Sequence, residues 1–217
     1  MILDSIFVQI CMAVLCLATI GLHISRKNHN EVVLYALQSL AVVMLLAASV
    51  SKEWSMPLLL IAGAMFFVKV VFMPVLFSRL IVRHHARFSV STYANIPEVV
   101  VAVALVLLFA GSSVMEPLTT MVPANHTYLV LAVAAMLSSV LLIVNRRGAL
   151  SQVTGVLSLD NSIVAFSLFA GLEQSAALQA GVVFDIFVWM IVAIVMVAMV
   201  YRQTGSWDVT KMKGLRD

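Results

Sequence analysis

The sequence predicts an all-α integral membrane protein with about seven transmembrane helices, and three observations carry that reading. Hydrophobic residues make up 63% of the 217 and charged residues 11%, with a mean hydropathy of +1.09. A water-soluble domain needs more polar residues to cover its surface. Apolar runs of about 20 residues, each long enough to cross roughly 30 Å of hydrocarbon as a helix, recur between short polar breaks. Lysine and arginine gather in alternate breaks, so the net charge of +3 reports topology rather than a nucleic-acid surface.

The predicted spans are 4–24, 31–51, 56–79, 97–113, 127–145, 149–171 and 177–201. The first, "SIFVQICMAVLCLATIGLHI", reads as a retained helix and not a signal peptide. "MILD" precedes it with an acid where a signal carries Lys or Arg, and no small-x-small cleavage site follows. Cys11 and Cys16 fall on different faces of that helix, and no C-x-x-C or Cys/His cluster is present to hold a metal. Pro57 and Pro97 suit first-turn positions, where a missing N–H costs nothing. "GSSVMEPLTTMVPANHT" reads as a loop, and no span is expected to be interrupted by Gly or Pro.

Basic residues fix the direction of the chain. Arg26, Lys27, Arg79, Arg83, Arg87, Arg146, Arg147, Arg202, Lys211, Lys213 and Arg216 all fall on one side of a seven-span topology. The other side has Lys52, and Lys69 lies inside. The positive-inside rule therefore places the N-terminus outside and the C-terminus in the cytoplasm.

A faint repeat runs through the chain. "SRKNHNEVVLYALQSL" and "NRRGALSQVTGVLSLDNS" each place a basic pair before a polar residue, Gln38 in one and Asp160 in the other. The following spans carry Lys69 and Asp185. The expected organisation is a single membrane domain over 1–217, made of two parallel three-helix halves. These are 1–82 and 127–201, joined by a connector helix at 97–113 and followed by a cytoplasmic tail at 202–217. Such halves are related by an axis along the membrane normal.

Lys69 lies ten residues from Arg79 and about thirteen from the outer start of its span, roughly 15–20 Å from either interface. A lysine side chain reaches about 6 Å, so it cannot snorkel. What remains is a structural ion pair, a neutral amine or a proton-transfer site. Asp160 and Asp185 are similarly deep, and buried acids of this kind can exchange protons near neutral pH. Their alternative role is a salt bridge to Lys69 or an interhelical hydrogen bond. Asn161, Ser158, Ser162, Thr154 and Gln152 crowd the helix of Asp160 and could carry water between charges or serve close packing. Gln38 is either interhelical glue or part of the same path. Glu98 reads as a first-turn acid beside Pro97. His84 and His85 sit in a basic loop, while His23, His29 and His126 lack ligand spacing.

The segments "RGALSQVTGVLSLDNSIVAF", "VVFDIFVWMIVAIVMVAMVYRQTGSWDV", "YALQSL" and "FVKVVFMPVLFSRL" resemble component E of hydrogenase-4, from the second span to the tail. Lys69 and Asp185 stand where that family has Lys and Asp, and Asp160 where it has Glu. The second half is more distantly similar to the K subunit of complex I and the C subunit of multisubunit Na+/H+ antiporters, with its acid about one turn later. The resemblance implies a non-catalytic, proton-translocating membrane subunit of a formate-hydrogenlyase-type [NiFe] hydrogenase in a bacterial or archaeal cytoplasmic membrane. Lys69, Asp160, Asp185 and Gln38 would line its proton path. No cofactor is expected in this chain; [NiFe] and iron–sulfur centres would belong to partner subunits, beside antiporter-like membrane subunits and a hydrophilic hydrogenase arm. The competing expectations are a subunit of a multisubunit cation/proton antiporter, an autonomous small-solute transporter and a scaffolding subunit.

Overall fold

The computed structural model describes residues 6–50, 56–83, 92–120 and 122–170, with Phe187, Ile191, Ile194 and Val195 from the last predicted span. Within them every element is a helix, and an isolated bridge joins Thr92 to Arg146. The helices are α1 (Ile6–Ile24), α2 (Asn28–Val50), α3 (Met56–Met65), α4 (Met73–Arg83), α5 (Ile96–Ala110), α6 (Glu116–Thr119), α7 (His126–Asn145) and α8 (Ala149–Phe169). A π-helical segment, Phe66–Phe72, joins α3 to α4, and a 3-10 turn, Pro123–Asn125, leads into α7. Five stretches among the described residues are long and apolar enough to cross a membrane: Ile6–Ile24, Asn28–Ser49, Ala62–Arg79, Pro123–Asn145 and Leu150–Phe169. The chain is thus an all-α, multi-spanning membrane protein.

Two elements depart from expectation. The connector α5 has 15 residues, about 22 Å of helix, which falls short of the hydrocarbon core. It starts on a capping box between Asn95 and Glu98, with Asn95 N–H donating to Glu98 Oε2 at 2.9 Å, and ends at Gly111. The third span is also not a uniform α-helix. The Met73 N–H donates to the Val68 carbonyl, five residues back. The cause lies next in sequence, where Pro74 has no N–H and its ring would strike the carbonyl of residue 70 in a regular α-helix. Widening the preceding turns relieves that clash. It also keeps Met65, Lys69, Met73, Phe77 and Ile81 on one buried stripe, because four-residue steps match the wider turn better than 3.6.

The core is built from α1, α2, α7 and α8. α1 packs on α2, and α7 on α8; α1 also packs on α7, and α2 on α8. Gly155 permits the close approach of α8 to α7, since a Cβ there would meet Ile143 Cγ1 at 2.8 Å. Ile6 and His126, which begin α1 and α7, stand 120 residues apart. The four contacts make a quadrilateral in which each helix lies beside its counterpart 120 or so residues on.

One end of this bundle carries Arg26, Lys27, Arg146 and Arg147. The Tyr93 N–H donates to Asn145 O at 3.0 Å and the Ala94 N–H to Asn145 Oδ1 at 2.8 Å, tying the approach to α5 to the same end. The opposite half is filled by an apolar cluster that includes Val8, Met12, Leu15, Val42, Leu46, Leu129, Ala165 and Phe169. There Tyr128 stacks on Phe169 at 4.8 Å, and Asn125 Nδ2 donates to Phe169 O at 2.8 Å.

Candidate functional site

Lys69 sits in the π segment with no solvent exposure. Its Nζ lies 2.5 Å from Asp160 Oδ2 and donates to Asn161 Oδ1 at 2.9 Å. Asp160 keeps 27% of its side chain exposed, whereas Asn161 is fully enclosed. The ammonium is therefore matched by one full charge and one amide dipole, both on the fourth turn of α8. Two consecutive residues can face one lysine because Asp160 reaches it from the rim and Asn161 from inside.

Asn161 connects this pair to a second layer. Its Nδ2 donates to Ser39 Oγ at 2.9 Å and to Gln38 Oε1 at 3.4 Å. Gln38 Nε2 in turn donates to Thr19 Oγ1 at 2.9 Å and Ser158 Oγ at 2.8 Å. Ser158 and Ser139 share a hydrogen bond of 2.8 Å. Thr19 and Ser139 also donate to the carbonyls of Leu15 and Ala135, one turn back on their own helices. Four helices thus contribute to one enclosed layer in which an amide and three hydroxyls satisfy one another. In hydrocarbon, any of these groups left single would carry a desolvation penalty of about 1–3 kcal/mol.

A third layer lies two helical turns nearer the basic end. Arg146 is fully buried, with Nη2 3.2 Å from Glu31 Oε1. Its guanidinium also donates to the Ser25 carbonyl at 3.1 Å and to the Leu22 carbonyl. Ser151 Oγ donates to Glu31 Oε2 at 2.7 Å. Burial presses the Arg146 pKa down and the Glu31 carboxylate opposes it. Between the layers stands His23, itself buried. Its Nε2 donates to Ser138 O at 3.0 Å, since a carbonyl can only accept, and its Nδ1 has no partner among the described residues.

Of the residues singled out from sequence, Lys69, Asp160 and Gln38 meet in one network, and Asp185 lies outside the described residues. The hydroxyls on α8 divide: Ser158 joins the network, while Thr154 and Ser162 bond back to Leu150 and Ser158 carbonyls of their own helix. Sequence reading missed Glu31, Arg146, Thr19, Ser139 and His23. Arg146 read as a surface charge because it adjoins Arg147, whose guanidinium lies over the Tyr93 ring at 4.4 Å. A usable signal was present in the 120-residue spacing. It pairs Gln38 with Ser158 and Glu31 with Ser151, each in hydrogen-bond contact, and Thr19 with Ser139 in equivalent roles. Within the described residues that register makes Ser158 the counterpart of Gln38, and the expected pairing of Lys69 with Asp185 lies outside the described residues.

Among the described residues no three His, Cys, Asp or Glu side chains come together as a metal site. Comparison with known proteins finds no matching family model, no matching curated protein and no matching solved structure.

Proposed function

We propose that this chain is a non-catalytic, proton-translocating membrane subunit of an energy-converting redox complex, of the membrane-bound [NiFe] hydrogenase type. The observation that carries the reading is the fully buried Lys69, paired with Asp160 at the head of a hydrogen-bonded network. A buried ion pair contributes little net stability compared with apolar packing, so its presence at such depth favours a role in charge movement. While Lys69 faces it the ammonium balances the Asp160 charge, and a turn of Lys69 away from it would leave that charge to be balanced by a proton or another cation. The partial exposure of Asp160 leaves a side of the carboxylate open to a neighbouring subunit. In this reading the 177–201 segment supplies a seventh span, Asp185 adds a further acid, and the N-terminus faces outward. The chain belongs to a bacterial or archaeal cytoplasmic membrane beside antiporter-like subunits and a hydrophilic hydrogenase arm.

Lys69→Ala in the assembled complex tests it. Hydrogenase activity should persist in the soluble arm while proton translocation per turnover falls by at least about tenfold. Undiminished translocation by a fully assembled complex would reduce Lys69 to a structural residue. Co-purification of the tagged chain with antiporter-type subunits and no redox subunit would overturn the hydrogenase assignment.

A further inference from the structure

We propose that the furrow between α2 and the π segment with α4 binds one anionic phospholipid. An acyl chain lies along the furrow, and the phosphate is held at its basic end by Arg79 and His29. The site is separate from the Lys69–Asp160 network, and the inference does not depend on the proton-translocating reading.

The furrow has a volume of about 910 Å³, within the size range of small-molecule sites. Val33, Leu37 and Leu40 of α2 form one wall, and Val70, Val71 and Val75 the other. Val33, Leu37, Val71 and Val75 are all exposed, so the furrow opens outward from the bundle. Ala36, Pro74 and Ser78 also line it, and their small side chains leave the space between the helices unfilled. From His29 to Leu40 it runs about 16 Å along α2. That length falls within Asn28–Ser49 and Ala62–Arg79, two of the stretches apolar enough to cross a membrane. At such depth an apolar furrow is filled by hydrocarbon, either a lipid tail or another protein.

The charge at one end selects the lipid. His29 and Arg79 come from different helices, are both exposed and both line the furrow. Arg26 and Lys27 lie exposed in the turn just before α2. Among the described residues no acid lines the furrow, and Glu31, close by in sequence, is buried against Arg146. A guanidinium with an imidazole and the Ser78 hydroxyl offers donors suited to phosphate oxygens. Basic pockets between membrane helices collect acidic headgroups in this way. An apolar helix of a neighbouring subunit would cover the same donors without supplying an acceptor, at a desolvation cost that a phosphate avoids. At the inner end Leu40 and Val70 adjoin Ser39 and Lys69, both fully buried. A bound tail therefore lies against the outer side of the turns that carry the buried network.

The test takes the full chain in mild detergent, stripped of lipid, and counts bound lipid by native mass spectrometry. It is titrated with phosphatidylglycerol or with phosphatidylcholine of the same acyl chains, and one phosphatidylglycerol should be retained in preference. Arg79→Gln, at an exposed position, should reduce that preference about fivefold. Val75→Trp, which fills the furrow, should weaken binding of both lipids. Glycerol 3-phosphate, a headgroup phosphate without tails, should not compete. Full preference in Arg79→Gln, wild-type binding by Val75→Trp, or displacement by glycerol 3-phosphate overturns the site. A photo-crosslinking residue in place of Val75 reads the occupant in the native membrane, whatever the fate of the other variants. Capture of phospholipid there supports the proposal, and capture of a neighbouring subunit's helix overturns it.

Discussion

At the scale of single residues, adjacent arginines show how position outweighs residue type. Arg146 is enclosed and paired with Glu31, while Arg147 lies half-buried over Tyr93. Arg146→Ala should therefore cost about 3–5 kcal/mol, because it strands a buried carboxylate. Arg147→Ala removes a cation–π contact worth about 0.5–1 kcal/mol at a partly exposed site. Chemical unfolding of the two variants in mild detergent separates these values, and equal losses would contradict the burial of Arg146. Depth arithmetic made Lys69 legible from sequence, because no side chain can stretch across half a bilayer. It could not choose the partner, since that depends on which helices touch. Arg146 was illegible for the opposite reason: a charge at a span's end reads the same whether it points to water or folds back under a neighbouring helix.

At the scale of elements, the apolar runs located the helices well, and the departures trace to local chemistry. Pro74 was visible, yet its effect falls on the residues before it, where the carbonyl of residue 70 has to move aside. Hydropathy carries no trace of that widening. Its consequence is one continuous buried stripe through Met65, Lys69 and Met73, so the phase of α4 depends on the π turns. Helix pairing was likewise hidden, although one glycine marks it. Gly155→Ala would bring a methyl against Ile143 Cγ1 at 2.8 Å and the Ile143 backbone nitrogen at 3.2 Å. We expect a loss of about 1–3 kcal/mol, as for other overpacked interiors. Ile143→Ala should ease part of it by removing the nearer atom. A double variant no more stable than Gly155→Ala alone would show that α7 and α8 do not meet at this point.

On the scale of the whole molecule, the fold class was legible because a bilayer accepts few architectures, and helices satisfy their own backbone. The 120-residue register was only half legible. Basic pairs stood out, but the hydroxyls and amides that follow are common residues whose meaning depends on contact. Among the described residues both ion pairs of the interior join distant parts of the chain. Lys69 and Asp160 are 91 residues apart, and Glu31 precedes Arg146 by 146 − 31 = 115. Ribosomes add about 5–20 residues each second, so Lys69 exists for roughly 5–20 s before its counter-ion has been made. An unpaired lysine at the centre of a membrane helix carries an insertion penalty of about 2.5–3.5 kcal/mol. The newborn protein is consequently most vulnerable midway through its own synthesis. A chain halted at residue 148 should insert poorly and be degraded quickly, and Lys69→Leu should rescue it, as pulse-chase labelling would reveal. Equal lifetimes for the two halted chains would mean that another subunit shelters the lysine from the start. The charge pair of Lys69 and Asp160 is thus also a timetable, which ties the order of translation to the survival of the half-built protein.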